Sequence, residues 1–232
     1  MEKYRHELKY LIDDEQMLLI RKRLEMTMRL DDHVKKDRYL ISSLYFDDPE
    51  DSCFYDVAAG VDLRKKYRIR YYDHNPERIF LECKAKRQGL MLKRSSLLSK
   101  EQSSRLVKGV YLRDIASLDE LKKELVFQVM AKAYRPKVIV EYERIPFVYR
   151  NGNVRITFDL NVQSSTDLNN FLGNYRNCRP ILPVGKQILE VKYDEYLPRF
   201  VYDCINIGNL QQLSFSKYAL CRKYISTAEE LI

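Results

Sequence analysis

From residue 64 to 94 the chain reads RKKYRIRYYDHNPERIFLECKAKRQGLMLKR, and charged and apolar residues alternate almost one by one. Side chains on a β-strand alternate between faces, so residues two apart share a side. Lys66, Arg68 and Arg70 therefore face one way, and Tyr67, Ile69 and Tyr71 the other. After a turn at residues 73–77 the next strand repeats the pattern. Glu82, Lys84 and Lys86 lie on one side, and Leu81, Cys83 and Ala85 on the other. One such strand by itself is a sheet face turned to water. The pattern recurs along the whole chain, and that recurrence is informative.

Eight strands are predicted, at residues 4–12, 38–46, 64–72, 78–87, 90–98, 137–149, 154–164 and 187–193. Residues 137–149 and 154–164 form a hairpin through Asn151-Gly152, the strongest turn signal in the sequence. Helices are predicted between strands. Asp13 or Asp14 caps one with Met17, Leu18, Ile20 and Leu24 at helical spacing. A short helix starts at Asp47-Asp48-Pro49, with Pro49 in its first turn. Ser99 and Gln102 form a capping box for residues 100–108. Another helix spans 117–133 and is stopped by Pro136. Residues 167–183 read as a loop or short helix, 198–207 as a helix, and 213–224 close the ordered chain. No linker or fixed-period repeat divides residues 1–232, so one α+β domain is expected, an eight-stranded antiparallel sheet or barrel with inserted helices.

Composition adds a direction. Of 232 residues, 41 are Lys or Arg against 33 Asp or Glu, a net charge of +8 that favours polyanionic partners. Five dispersed cysteines without a CxxC pair speak against a zinc site or a disulfide framework. No apolar signal core opens the sequence and no stretch is long enough to span a membrane, so a cytoplasmic location is expected.

The charged rows of the strands are mostly basic: Arg5 and Lys9 beside Glu7; Lys66, Arg68 and Arg70; Lys84 and Lys86 beside Glu82; Arg144 with Tyr142; Arg155, Thr157 and Asp159; Lys192 beside Glu190. Lys93 and Arg94 lie on opposite faces of one strand, and Lys93 is taken as the inward one. Like charges on adjacent strands destabilise a sheet unless something anionic lies between them. Closing the sheet with this face inward concentrates the field on an internal ligand. Arginine forks and lysine point charges suit phosphate oxygens, and a few carboxylates suit a bridging divalent cation. Asp159 reads equally as a strand-end cap, the three histidines match no motif, and most of the 18 tyrosines read as core.

RHELKY, YRIRYY, FLECKAK, LKR, EYER, VRITFD, ILEVK and FSKY occur in this order and resemble the VTC-type domain, the polyphosphate polymerase branch of the triphosphate tunnel metalloenzymes. The resemblance covers nearly the whole chain. It implies an eight-stranded tunnel that binds ATP and inorganic polyphosphate with Mn²⁺ or Mg²⁺, and transfers the γ-phosphoryl group of ATP to a growing phosphate chain. It implies that Lys9, Arg68, Arg70, Lys84 and Arg155 carry the reaction. Lys86, Lys93, Tyr142, Arg144, Lys192, Ser216 and Lys217 would bind phosphate, and Glu190, helped by Glu7 or Glu82, would hold the metal. Ser214 departs from the pattern, which has a lysine three residues before Lys217.

A tripolyphosphatase or nucleoside triphosphatase would use the same tunnel. Hydrolytic relatives tend to carry an ExExK run, where this chain has RHELK with an arginine in place of the first glutamate. A non-catalytic polyphosphate or RNA binder is the third reading. RNA recognition needs aromatics beside the cations, which the strand parity opposes, so no nucleic-acid partner is expected.

Overall fold

The alternating rows become long antiparallel strands that curl their charged faces inward. The computed structural model describes residues 5–34, 36–173, 176–208, 210–213 and 216–229; Tyr4 and Ser214 lie outside them. The elements run β1 (His6–Asp13), α1 (Asp14–Glu25), β2 (Arg29–Leu30), β3 (Tyr39–Asp47), α2 (Ser52–Ala58), β4 (Arg64–Tyr72), β5 (Asn75–Arg87), β6 (Leu90–Leu98) and α3 (Lys100–Val107). They continue with α4 (Glu120–Lys132), β7 (Arg135–Tyr149), β8 (Val154–Ser165), β9 (Arg179–Pro180), β10 (Lys186–Tyr193), α5 (Arg199–Ile205) and α6 (Lys217–Glu229).

The sheet order is β1-β10-β8-β7-β3-β4-β5-β6, with the two-residue β2 and β9 pairing onto β7 and β8. Every pairing is antiparallel. Among the described residues the outer strands of this order meet at Arg5 and Met91, where each backbone N–H donates to the other's carbonyl at 3.3 Å.

The hydrophobic core lies on the outside of this curl. Leu44, Tyr67, Ile69, Leu81 and Cys83 pack under Leu106 of α3 and Leu121 and Leu125 of α4. Ile145, Phe147, Ile156, Phe158, Leu189 and Val191 pack under Ile20 and Leu24 of α1 and Val201 and Ile205 of α5. Each fully buried aliphatic side chain contributes about 2 kcal/mol, so the helices hold the sheet from behind and leave its inner face free for polar groups.

Local signals account for most element ends. Asp13 ends β1 and caps α1: Gln16 N donates to its carboxylate at 2.8 Å, and Asp13 N donates to Gln16 Oε1 at 3.0 Å. Ser99 and Gln102 do the same for α3. Two expectations are corrected. Helix α2 begins at Ser52, not at Pro49, because the Asp47 carboxylate accepts from Cys53 N and Phe54 N and fixes the first turn there. Helix α4 ends at Lys132 with Ala133 in the left-handed conformation, and Pro136 lies inside β7.

Candidate functional site

The inward rows converge on a cavity of about 420 Å³. Among the described residues, eleven lysines and arginines line it against two carboxylates, Glu7 and Glu190. Register explains how they meet. On β4 and β5, Lys66 stands opposite Lys84 and Arg68 opposite Glu82. On β5 and β6, Lys84 stands opposite Lys93. Three lysines thus lie in one row across three strands, an arrangement unfavourable without an anion.

Elsewhere the cations clasp the carboxylates. Glu82 accepts from Arg68 Nε at 2.8 Å and Lys93 Nζ at 2.6 Å. Arg144 forks onto Asp159 at 2.6 and 2.7 Å and reaches Glu190 at 3.1 Å. Lys217, the first residue of α6, donates to Glu190 at 2.7 Å and also pairs with Asp159. Lys192 bridges Glu190 at 2.9 Å and Glu7 at 3.4 Å, and Lys84 reaches Glu7 at 3.2 Å. Lys9 lies 3.9 Å from Glu7. Arg70 donates to Ser43 and to the Tyr142 hydroxyl, and Arg155 pairs with Asp31 at 2.6 Å and with the Tyr39 hydroxyl.

These contacts set the charges. Burial raises the carboxyls of Glu7, Glu82 and Glu190, but the cations around them outweigh it and hold all three well below the usual range. Burial lowers the Lys84 ammonium well below its ordinary value, Glu7 opposing and Lys192 adding to the effect. Burial and the neighbouring Lys9 push Lys66 down to about 8. Tyr142 falls below the ordinary phenol value because Arg144 and Arg70 outweigh its burial.

Every residue expected at the site lines this cavity except Lys86 and Glu82. Lys86 stays on the inward row of β5, but its ammonium pairs with Asp62 at 3.7 Å on the connection before β4. Glu82 stays on the inward row of β5, but it is held by Arg68 and Lys93 and lines a neighbouring cavity instead. Lys93 points inward, while Arg94 points outward to Glu124 on α4. Tyr39, Tyr45 and Tyr72 also line the cavity, where tyrosines were expected mainly in the core. Lys66 was visible in the alternating row and belongs to the wall as well. Ser216 caps α6, its hydroxyl accepting from Ala219 N at 3.0 Å.

Among the described residues no cluster of three acidic, His or Cys side chains forms a protein-only metal cage. A Mg²⁺-type ion needs less, usually one or two carboxylates together with substrate phosphates and water. Glu7 and Glu190 fit that pattern. They lie on paired strands, Glu190 opposite Lys9 and Glu7 opposite Lys192, and each carboxylate raises the other's proton affinity. Thr157, opposite Glu190 on β8, keeps a buried hydroxyl without a partner, a further oxygen beside them.

A curled antiparallel sheet enclosing a cationic lumen defines the triphosphate tunnel class of folds. The family model described as the VTC domain matches residues 4–225, and the chain belongs to that family. Among solved structures it is similar to HpAC1 from Hippeastrum, described under an adenylyl cyclase name with a dominant triphosphatase activity. That likeness has a TM-score of 0.58 and 13% identity over 97% of this chain and 96% of the other. It is similar also to the PH1819 protein of Pyrococcus horikoshii, with a TM-score of 0.50 and 14% identity over 95% and 99% of the two chains. The PH1012 protein of the same organism gives 0.50 and 10% over 93% and 98%. At these identities the likeness is one of fold. No curated protein matches the sequence.

Proposed function

We propose that this chain is a metal-dependent polyphosphate polymerase that moves the γ-phosphoryl group of ATP onto the end of an inorganic polyphosphate chain within the lumen. The observation that carries the reading is the excess of cations at the wall, eleven against two lining carboxylates among the described residues. Buried carboxylates pair with much of this wall, and the cations still outnumber them. Phosphates filling the cavity would offset the remaining surplus.

The chemistry asked of the protein is positioning and charge stabilisation. Arg68, Arg70, Arg144 and Arg155 present forks to non-bridging phosphate oxygens, and Lys9, Lys84, Lys93 and Lys192 present point charges. A terminal oxygen of the phosphate chain attacks the γ-phosphorus, the bond from that phosphorus to the β-bridging oxygen breaks, and ADP leaves with the electron pair. Glu190 and Glu7 would hold a divalent cation, which supplies charge neutralisation between phosphates when bound. Lys217 and Arg144 keep the Glu190 carboxylate ionised and oriented.

Water in place of the phosphate chain would make the same site a triphosphatase, a reading favoured by the activity named for the Hippeastrum protein of like fold. The scarcity of carboxylates available to orient water favours the polymerase. Incubation with ATP and Mn²⁺ or Mg²⁺, followed by gel analysis, separates the two. Phosphate ladders are expected; free phosphate alone would establish the hydrolase, and neither product would leave a binder. Glu190→Gln is expected to abolish turnover while tripolyphosphate binding persists; full activity in that variant would refute the metal assignment.

A further inference from the structure

Among the described residues, ten of the eleven lysines and arginines in the lumen wall pair with a carboxylate of the protein. Lys66 is the eleventh. Among the same residues its ammonium has neither an ion-pair nor a hydrogen-bond partner, although it lines the cavity. The groups around it are like charges or are committed elsewhere. Lys84 stands opposite on β5, Lys93 follows in that row on β6, and Lys9 acts on it from β1. Arg64 and Arg68 share its row on β4. On the neighbouring elements, Glu7 of β1 is held by Lys84, Lys9 and Lys192, and Glu82 of β5 by Arg68 and Lys93. The Asp47 carboxylate at the end of β3 accepts from the backbone of α2 and from the Tyr218 hydroxyl of α6. Cys53 of α2 is a neutral thiol, pushed up by burial to about 12.

We infer that Lys66 is the proton-responsive cation of the lumen: it gains its charge as a phosphate chain enters, so loading draws a proton into the protein and release gives it back. The inference deepens the proposed function and rests on its premise that phosphates fill the cavity. A buried amine among like charges favours its neutral form, and anionic oxygens within hydrogen-bond reach reverse that preference. The proton comes from solvent, adds to the amine nitrogen, and the new N–H donates to a phosphate oxygen. Lys84 also lies below its ordinary value, but it keeps the Glu7 carboxylate at 3.2 Å as a counter-charge. Lys66 has none, and in the protein alone it already titrates at about 8. Linkage fixes the sign. A ligand that raises this value takes up protons on binding, and its affinity falls as pH climbs past that point.

The test titrates inorganic tripolyphosphate calorimetrically, without metal, into wild type, Lys66→Arg and Lys66→Met. Each is measured at pH 7.5 and pH 9 in buffers of different ionisation enthalpy, which gives both affinity and protons taken up. Arginine stays charged over this range, so Lys66→Arg reports the protons exchanged by the ligand and by every other group. Lys66→Met carries no titrating group there and gives the same baseline by an independent route. Between the two pH values wild type is expected to lose about eightfold more affinity than Lys66→Arg. At pH 9 it is expected to take up about 0.9 proton more per ligand than either variant. Parallel pH profiles in wild type and Lys66→Arg, with equal proton uptake in all three proteins, would overturn the inference. If wild type bound no tripolyphosphate at either pH, the proposed function would fall and take this inference with it, a result distinct from the first.

Discussion

Lys66 shows what a cation costs in a lumen built for anions. It stands opposite Lys84, and burial together with Lys9 brings its ammonium down to about 8. A lysine in the unfolded chain titrates near about 10.4. Between these values the unfolded chain binds more protons than the folded one, so this residue's contribution to stability rises with pH. Below pH 8 both states are charged and the penalty is complete, on the order of 2 kcal/mol after allowing for its partial exposure. Lys66→Met is therefore expected to melt about 5 °C above wild type at pH 7 without ligand, with the gap closing by about pH 10. A gap independent of pH in thermal melts would contradict the assignment. The position of Lys66 on the charged row was legible from period-two alternation alone. Its cost was not, because that depends on the closure of the sheet, which buries it and brings Lys9 of β1 near. The same holds for Glu190, whose three cations come from β7, β10 and α6.

At the scale of elements, α6 links local structure to the site. Ser216 caps it, and Lys217 in its first turn reaches the two buried carboxylates of Asp159 and Glu190. The cap is worth about 1 kcal/mol, so Ser216→Ala should lower the melting temperature by about 3 °C and Ser216→Thr should restore most of it. An unchanged melt would mean the hydroxyl does not secure the helix. Strong local signals were readable here: the Asp13 and Ser99 caps, and the hairpin at Asn151-Gly152, where Gly152 takes φ +74 and an added Cβ would meet Tyr196 O at 2.6 Å. The start of α2 was misplaced because its caps come from Asp47, a residue still in β3, whose carboxylate also accepts from the Tyr218 hydroxyl of α6. That constraint is tertiary, and nothing in the local sequence announces it.

For the molecule as a whole, the strand count and inward face followed from alternation, while the strand order did not. Pairs such as Glu7 with Lys192 or Tyr39 with Arg144 join residues remote in sequence. Once closed, the sheet explains the charge. The eleven lumen cations, less the carboxylates that pair with them (Glu7, Glu190, Glu82, Asp159, Asp31 and Asp194), leave a surplus of five out of the net charge of +8. No helix among the described residues is long and apolar enough to cross a membrane. Tripolyphosphate at about a hundred times its dissociation constant should stabilise the fold by about 2.7 kcal/mol, a rise of roughly 5–10 °C in the melt. A duplex RNA offering the same phosphate concentration should give no shift. A comparable rise with RNA would show that the surplus is accessible from outside.

The curled wall is fastened along seven ladders, and among the described residues its remaining edge is joined at Arg5 and Met91. That seam joins residues remote in sequence, so the lumen is enclosed only after the strands between them have been laid side by side.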